Sequence, residues 1–191
     1  MINLILASKS SIRKKMLEET HIPFEVIISN SDETPDLSKS FEDQLKEISL
    51  RKAQAVFNAT IDKGERIIVS ADQNIVFNNV MYGKPKDLDS ARNLIKSMQG
   101  NDNIYSYVGN SIIYANKNKI LKTINKCDIA RMSMDNISEE SLEKYLTNHN
   151  PLSKCGGINI VDTEFLHLKE GLMSTASGMT IEYLQELLCS L

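Results

Sequence analysis

The stretch LILASKSSIRKKMLEE, from Leu4 to Glu19, decides the class of fold. Its apolar first residues predict a β-strand, and the amphipathic residues that follow predict a helix that begins at Ser10 or Ser11. A second apolar stretch, FEVIIS, follows Pro23 and completes a β-α-β opening. Between the strand and the helix, three serines and a basic cluster that includes Arg13 offer several donors to an anion. This composition suits a phosphate.

The rest of the chain continues to alternate strands and helices, which predicts an α/β fold. The run RIIVSAD, from Arg66 to Asp72, is too continuously apolar for a surface strand, so we expect it inside the sheet, followed by a hairpin that turns at Asn78–Asn79. The other predicted elements are a helix over Phe41–Ala59, a helix from Asp87 to Gly100, long strands over 104–115 and 120–133, a helix from Ser138 to Pro151, and short strands and a last helix after KCGG. No linker or repeat interrupts the chain, so we expect one domain over residues 1–191.

Composition and charge exclude several classes of protein. The 191 residues are 41% hydrophobic, which suffices for one core, and the formal net charge of −3 gives no basic field for a nucleic-acid polymer. Three widely spaced cysteines without a CxxC pair argue against a disulfide framework or a zinc site. No stretch approaches the roughly 18 apolar residues of a membrane span. We therefore expect a cytoplasmic protein that binds neither membranes nor nucleic-acid polymers.

Asp72 is the sharpest candidate for a catalytic residue. It follows a buried apolar run, at the end of a strand where open α/β sheets place their ligands, although an Asx turn into the hairpin explains it equally well. Glu33, in the loop SNSDETPD, reads by itself as a solvated acidic residue. If the two carboxylates meet, they provide the oxygen ligands that Mg²⁺ prefers.

Two lysines stand where a cation could reach an anion. Lys52 interrupts the apolar stripe of the helix Phe41–Ala59, so it either reaches a buried anion or extends past the edge of the stripe into solvent. Lys84 lies between a glycine and a proline in YGKP, just before a helix. It is suited to a phosphate as a compact charge, or it is an ordinary exposed turn lysine.

In order, the blocks LASKSSIRKK, DE, RKAQAV, SADQ, GKPKD, NPLSKCGGINI and GLMSTASGMTI resemble the signature blocks of the Maf family of nucleoside triphosphate pyrophosphatases. The resemblance extends over essentially the whole chain. It implies an elongated α/β fold of the inosine-triphosphatase type with a cleft between two lobes. It also implies cleavage of a nucleotide to its monophosphate and pyrophosphate, a divalent cation (Mg²⁺ or Mn²⁺), and a possible homodimer.

The resemblance also assigns roles to individual residues. It implies that Asp72 accepts a proton and that Glu33 and Lys84 complete the catalytic set, with Asp72 and Glu33 also binding the metal. The residues implied to bind phosphate are Ser8, Ser10, Arg13, Lys52, Lys84 and Lys154.

Departures from the family pattern concern the nucleotide base. Ile12, Gln73 and Val161 match positions associated with specificity, and they stand where the pyrimidine-acting branch has arginine, threonine and glutamine. Thr180 replaces the proline of a common GLP ending. These residues resemble the branch that hydrolyses 7-methyl-GTP, so we expect that branch. The alternative function is a nucleotide-binding regulator of septum formation with vestigial hydrolysis.

Overall fold

The computed structural model describes residues 2–191. Its strands are β1 Asn3–Leu6, β2 Phe24–Val26, β3 Glu65–Phe77, β4 Val80–Tyr82, β5 Ile104–Asn116, β6 Lys119–Met134 and β7 Leu166–Glu170. Its α-helices are α1 Ser11–Glu18, α2 Phe41–Ala59, α3 Leu88–Met98, α4 Glu139–Asn148, α5 Met173–Ser177 and α6 Glu182–Cys189. The predicted α/β class is confirmed.

One mixed sheet contains all seven strands. Their order is β2-β1-β3-β5-β6-β7, and β4 pairs with β3 outside this path. β1 is parallel to both β2 and β3, with Leu4 opposite Phe24 on one side and Ile67 on the other. The parallel trio is the β-α-β opening that the first residues predict, because α1 connects β1 to β2.

Short polar residues begin the helices where the sequence predicts them. The side chains of Ser10, Asp87 and Ser138 accept hydrogen bonds from the backbone N–H three residues further on, at the starts of α1, α3 and α4. Asn78 and Asn79 have φ of 50° and 59° at the β3–β4 turn, which confirms the predicted hairpin.

Two predictions of secondary structure are wrong. β3 does not end at Asp72 but continues to Phe77, so Asp72 lies within a strand and neither at its carboxyl end nor in an Asx turn. After KCGG the chain forms one short strand, β7, instead of several; 3₁₀ turns at Pro151–Ser153, Cys155–Gly157 and Ile160–Asp162 precede it, and the helix α5 was not predicted.

The chain divides into two compact units. The first consists of residues 1–72, 108–128 and 178–191, and the second of residues 73–107 and 129–177. In the first unit, alternate residues of β1 enter different clusters: Leu4 and Leu6 pack with Leu17 of α1, whereas Ile5 packs with Ala53 of α2. The second unit has its own core around α3, α4 and the parts of the strands it contains.

Helix α2 packs against β5 with almost no space between their backbones. A Cβ atom on Gly109 of β5 would lie 2.2 Å from the carbonyl oxygen of Leu45 in α2. Only a residue without a side chain fits this contact.

Among residues 2–191, no helix combines the length and the apolar character needed to cross a membrane.

Candidate functional site

Lys52 joins two carboxylates in the first unit. It lies on the buried side of α2 and is 7% exposed. Its Nζ lies 2.5 Å from Oδ1 of Asp72 and 2.8 Å from Oε2 of Glu33. The stripe that Lys52 interrupts does point inward, so the reading as a solvent-directed lysine is wrong, whereas its predicted contact with a phosphate stays a prediction. The sequence did not reveal that the anions are the protein's own carboxylates.

The alternation of β3 brings Asp72 to α2. Ile68 packs in the cluster that contains Ala53 of α2, and Oγ of Ser70 donates to the carbonyl of Ser49 at 2.6 Å. Asp72, two residues further along, meets Lys52 on the same side. The predicted face of Ile68, Ser70 and Asp72 is therefore confirmed, although the strand continues beyond it.

The serine- and arginine-containing turn after β1 is tied to the same strand. Nη1 of Arg13 donates to the carbonyl of Ala71 at 2.8 Å and contacts Oγ of Ser8 at 3.3 Å. Oγ of Ser8 also accepts from the N–H of Ser10. The predicted phosphate-binding residues Ser8, Ser10 and Arg13 therefore lie together, and Arg13 reaches the residue next to Asp72. This structural contact of Arg13 has no signal in the sequence.

Arg13 also contacts the backbone of Gly178, which lies two residues before a polar network around Thr180. Nε of Arg13 donates to the carbonyl of Gly178 at 2.8 Å. Two residues later, the N–H of Thr180 donates to Oδ1 of Asn110, and its hydroxyl donates to Oδ2 of Asp128. Proline at position 180 could not donate to Asn110, because proline has no N–H. The departure from the GLP ending therefore has a structural reason.

The other predicted site residues of the second unit have different surroundings. Lys84 is exposed between β4 and α3. Lys154 is buried, with its Nζ 2.6 Å from Oδ2 of Asp162 and 5.2 Å from the centre of the Tyr145 ring. Both lysines remain predicted phosphate ligands, and Lys154, which lies between two 3₁₀ turns, also contacts Asp162 in the third.

Of the three residues predicted to set base specificity, one has a clear structural task. Nε2 of Gln73 donates to Oγ of Ser106 at 2.8 Å and to the carbonyl of Ala176 at 3.1 Å. Val161 is 55% exposed, and Ile12 is partly exposed on α1. The amide of Gln73 is therefore occupied within the second unit, which weakens its interpretation as a base-reading residue.

The surroundings of Cys127 and Cys155 do not favour a nucleophile. Burial raises the pKa of the Cys127 thiol to about 12, so the reactive thiolate is disfavoured at neutral pH. Sγ of Cys155 donates to the carbonyl of Gln73, in keeping with its predicted role as a packing residue. Within the described part of the chain, no group of three or more His, Cys, Asp or Glu residues could hold a metal ion.

We predict that Lys52→Met lowers both stability and activity. An apolar residue suits the stripe, but removing the ammonium leaves Asp72, whose side chain is 16% exposed, without its partner. Loss of one member of a partly buried pair should cost about 1–3 kcal/mol of unfolding free energy. Urea denaturation measures this. The double variant Lys52→Met/Asp72→Asn should regain part of the stability, and equal stability of Lys52→Met and wild type would contradict the importance of the pair.

The hydroxyls and guanidinium of the turn after β1 are donors suited to a phosphate, and the carboxylates joined by Lys52 are groups that can position a water molecule. The chain belongs to the Maf family: the family model described as "Maf-like protein" matches residues 3–191.

The chain is similar to two curated relatives and, more distantly, to one solved structure. A dTTP/UTP pyrophosphatase from Clostridium beijerinckii is 32% identical over 190 residues, which are 98% of each chain. Another from Caldicellulosiruptor bescii is 32% identical over 161 residues, or 84% of this chain and 79% of the relative. A solved nucleoside-triphosphatase (dITP/XTP pyrophosphatase) from Mycobacterium abscessus has 13% identity and a TM-score of 0.42, over 99% of this chain and 94% of that one.

These relatives do not support the predicted 7-methyl-GTP-type branch. Both curated relatives carry names that specify dTTP and UTP. The prediction from Ile12, Gln73 and Val161 is therefore corrected at the level of the branch, whereas the family itself is confirmed.

Proposed function

We propose that this protein is a nucleoside triphosphate pyrophosphatase, a hydrolase that releases a monophosphate and pyrophosphate and so removes unwanted nucleotides from the pool. The observation that supports this function most strongly is the contact of Lys52 with both Asp72 and Glu33 in a member of the Maf family. Two carboxylates and a buried cation can position a water molecule and a charged phosphate without any covalent intermediate.

The donor set fits a divalent cation. Mg²⁺ is usually bound through one or two carboxylates, while water and substrate phosphate supply its remaining oxygen ligands. Asp72 and Glu33 both contact Nζ of Lys52, so their carboxylates lie close to each other, and Lys52 contacts one of the two oxygens of each, Oδ1 and Oε2. These two residues would hold Mg²⁺ or Mn²⁺, and the cation would neutralise charge on the phosphate oxygens.

The protein's own residues have distinct tasks in the proposed reaction, in which water attacks the α-phosphorus and pyrophosphate leaves. Asp72 orients the attacking water and accepts its proton, since its carboxylate is held in place by Lys52. Lys52 stabilises the charge that develops on the phosphate. Ser8, Ser10 and Arg13 bind the phosphate tail. Lys84 is proposed as a catalytic cation, and Lys154 as a phosphate ligand.

For the base, we propose pyrimidine nucleotides, dTTP and UTP, as the preferred substrates. The support comes from the curated relatives, since one of them matches nearly the full length of the chain. Gln73, one of the residues on which the expectation of the 7-methyl-GTP branch rested, donates to Ser106 and Ala176 and so lends that expectation little weight.

A nucleotide panel tests both parts of the proposal. We expect the purified protein with Mg²⁺ to release pyrophosphate from dTTP and UTP with a kcat/KM at least about tenfold above that for 7-methyl-GTP, because hydrogen-bond discrimination between bases is steep. Addition of EDTA should stop the reaction. A preference for 7-methyl-GTP would overturn the base assignment alone, whereas absence of pyrophosphate with every nucleotide would overturn the proposed function.

The same panel addresses the alternative, a nucleotide-binding regulator of septum formation, which requires nucleotide binding with negligible turnover.

A cytoplasmic location and a homodimer stay predictions. One Maf-like domain over residues 1–191 is the organisation we propose, since a single family model spans residues 3–191.

A further inference from the structure

Two consecutive residues of α2, Arg51 and Lys52, contact residues 32–34. These residues lie in the segment between β2 and α2, which we call the acidic loop. Lys52 contacts the carboxylate of Glu33, as described above. The preceding residue, Arg51, contacts both neighbours of Glu33: its Nη2 donates to the carbonyl of Thr34 at 2.8 Å, and its Nη1 lies 3.4 Å from Oδ2 of Asp32. Glu33 is therefore flanked on both sides by contacts to one guanidinium group.

A local turn shapes the segment that Arg51 holds. The N–H of Thr34 donates to Oδ1 of Asp32 at 2.9 Å, which closes an Asx turn around Glu33. The hydrogen bonds from Thr34, with a smaller contribution from the charge of Arg51, lower the pKa of Asp32. The carboxylate of Asp32 thus uses one oxygen for the turn and the other for Arg51.

The loop needs such a contact because regular structure does not hold it. Between the end of β2 at Val26 and the start of α2 at Phe41, the chain forms neither helix nor strand. The side chain of Glu33 is 52% exposed. Chain segments of this kind open locally at low free energy unless specific contacts hold them.

Arg51 occupies this position at some cost. Its Nε is buried and has no hydrogen-bond partner within the part of the chain that the structure describes. A buried donor without a partner is unfavourable, so the two contacts to the loop must compensate for it. A lysine could not reproduce their geometry, because its single nitrogen cannot take the two separate positions that Nη1 and Nη2 of the planar guanidinium occupy.

We propose that Arg51 is a positioning residue that holds the Asp32–Thr34 turn against α2 and thereby fixes Glu33 for binding of the divalent cation. The part of this inference that concerns the cation rests on the proposed function; the part that concerns the loop does not. Arg51 acts through the backbone and side chains on either side of Glu33.

The experiment compares Arg51→Gln and Arg51→Lys with Lys46→Gln as the matched control. Lys46 is a cation of the same helix whose ion pair, with Asp43, lies within α2, so its removal changes the net charge equally without touching the loop. A Glu-specific protease is added to each folded protein, and mass spectrometry follows the fragment that ends at Glu33. Hydrolysis of dTTP is measured in parallel against Mg²⁺ concentration.

We expect the Glu33 fragment to appear about fivefold faster for Arg51→Gln than for wild type or Lys46→Gln, because two hydrogen bonds that close the loop are lost. The Mg²⁺ concentration for half-maximal rate should rise about fivefold, with kcat at saturating Mg²⁺ within about twofold of wild type. Arg51→Lys, which keeps the charge and folds with the least perturbation, should still be cleaved at least about threefold faster than wild type.

The proposal would be overturned if both Arg51 variants were cleaved at Glu33 no faster than the control Lys46→Gln. It would also be overturned if cleavage at all other glutamates became faster by the same factor as cleavage at Glu33, since that result reports a general loss of stability. An unchanged Mg²⁺ requirement together with faster cleavage would overturn the role of Arg51 in cation binding. If the wild-type protein hydrolyses no nucleotide, the proposed function fails, while the protease measurement still decides whether Arg51 holds the loop.

Discussion

Asp72→Asn should reduce hydrolysis of the preferred nucleotide by roughly 10²- to 10⁴-fold, the range of a positioned acid–base group. The substitution keeps the shape of the side chain and an oxygen that can accept from Lys52, but it removes the charge needed to accept a proton and to bind a cation. Stability should change little, because Lys52 retains its contact with Glu33. Steady-state kinetics at saturating Mg²⁺ measure the effect.

The matched control for this prediction is Asp89→Asn. Asp89 lies in the first turn of α3 with a side chain that is 90% exposed, so the same chemical change there should leave kcat/KM within about twofold of wild type. Turnover by Asp72→Asn within a factor of three of wild type would remove Asp72 from the proposed mechanism.

Gly109→Ala should destabilise the fold by about 3 kcal/mol or more, the upper end for overpacked positions. The added methyl group would meet the carbonyl oxygen of Leu45 at 2.2 Å and the amide nitrogen of Lys46 at 2.8 Å, and both are backbone atoms that cannot turn aside. Helix α2 would have to move away from β5. Urea denaturation, followed by circular dichroism, measures the loss.

Gly64→Ala provides the comparison for Gly109. A Cβ atom on Gly64 would meet nothing within 4 Å, so alanine there should change the unfolding free energy by no more than about 0.5 kcal/mol. If Gly109→Ala and Gly64→Ala had similar unfolding free energies, α2 would be shown to move away from β5 without loss of stability. Because α2 also carries Lys52, a surviving Gly109→Ala protein should have reduced activity.

The parts of the fold that depend on neighbouring residues were predictable from the sequence. Ser10, Asp87 and Ser138 begin their helices with side-chain bonds that span only three residues, and the Asn78–Asn79 turn needs only two residues that tolerate positive φ. It was not predictable that RIIVSAD and the first arm of the hairpin form one uninterrupted strand. The polar residue Gln73 breaks the apolar pattern there, and its partners Ser106 and Ala176 lie far along the chain.

In the candidate site, too, residues with a local signal in the sequence were predictable, and contacts between distant residues were not. Lys52 was found because a charge interrupts an apolar stripe, which is a local signal. Its two partners were candidates on separate grounds, but nothing in the sequence shows that both contact one ammonium. Arg51 was missed because an arginine beside the stripe looks like any surface cation. Its importance depends on a loop that folds back from residues 32–34.

The bond from Arg13 to Gly178 has a consequence for synthesis of the protein. Its two residues are 165 positions apart in the chain, and the first unit includes residues 178–191. During synthesis, the turn that contains Ser8 and Arg13 leaves the ribosome well before Gly178, so one of the contacts that hold Arg13 forms only after the intervening residues have emerged. The first unit therefore completes its contacts around Arg13 only after Gly178 has been synthesised, so an arrested chain that has not reached residue 178 should carry the candidate residues without their final arrangement.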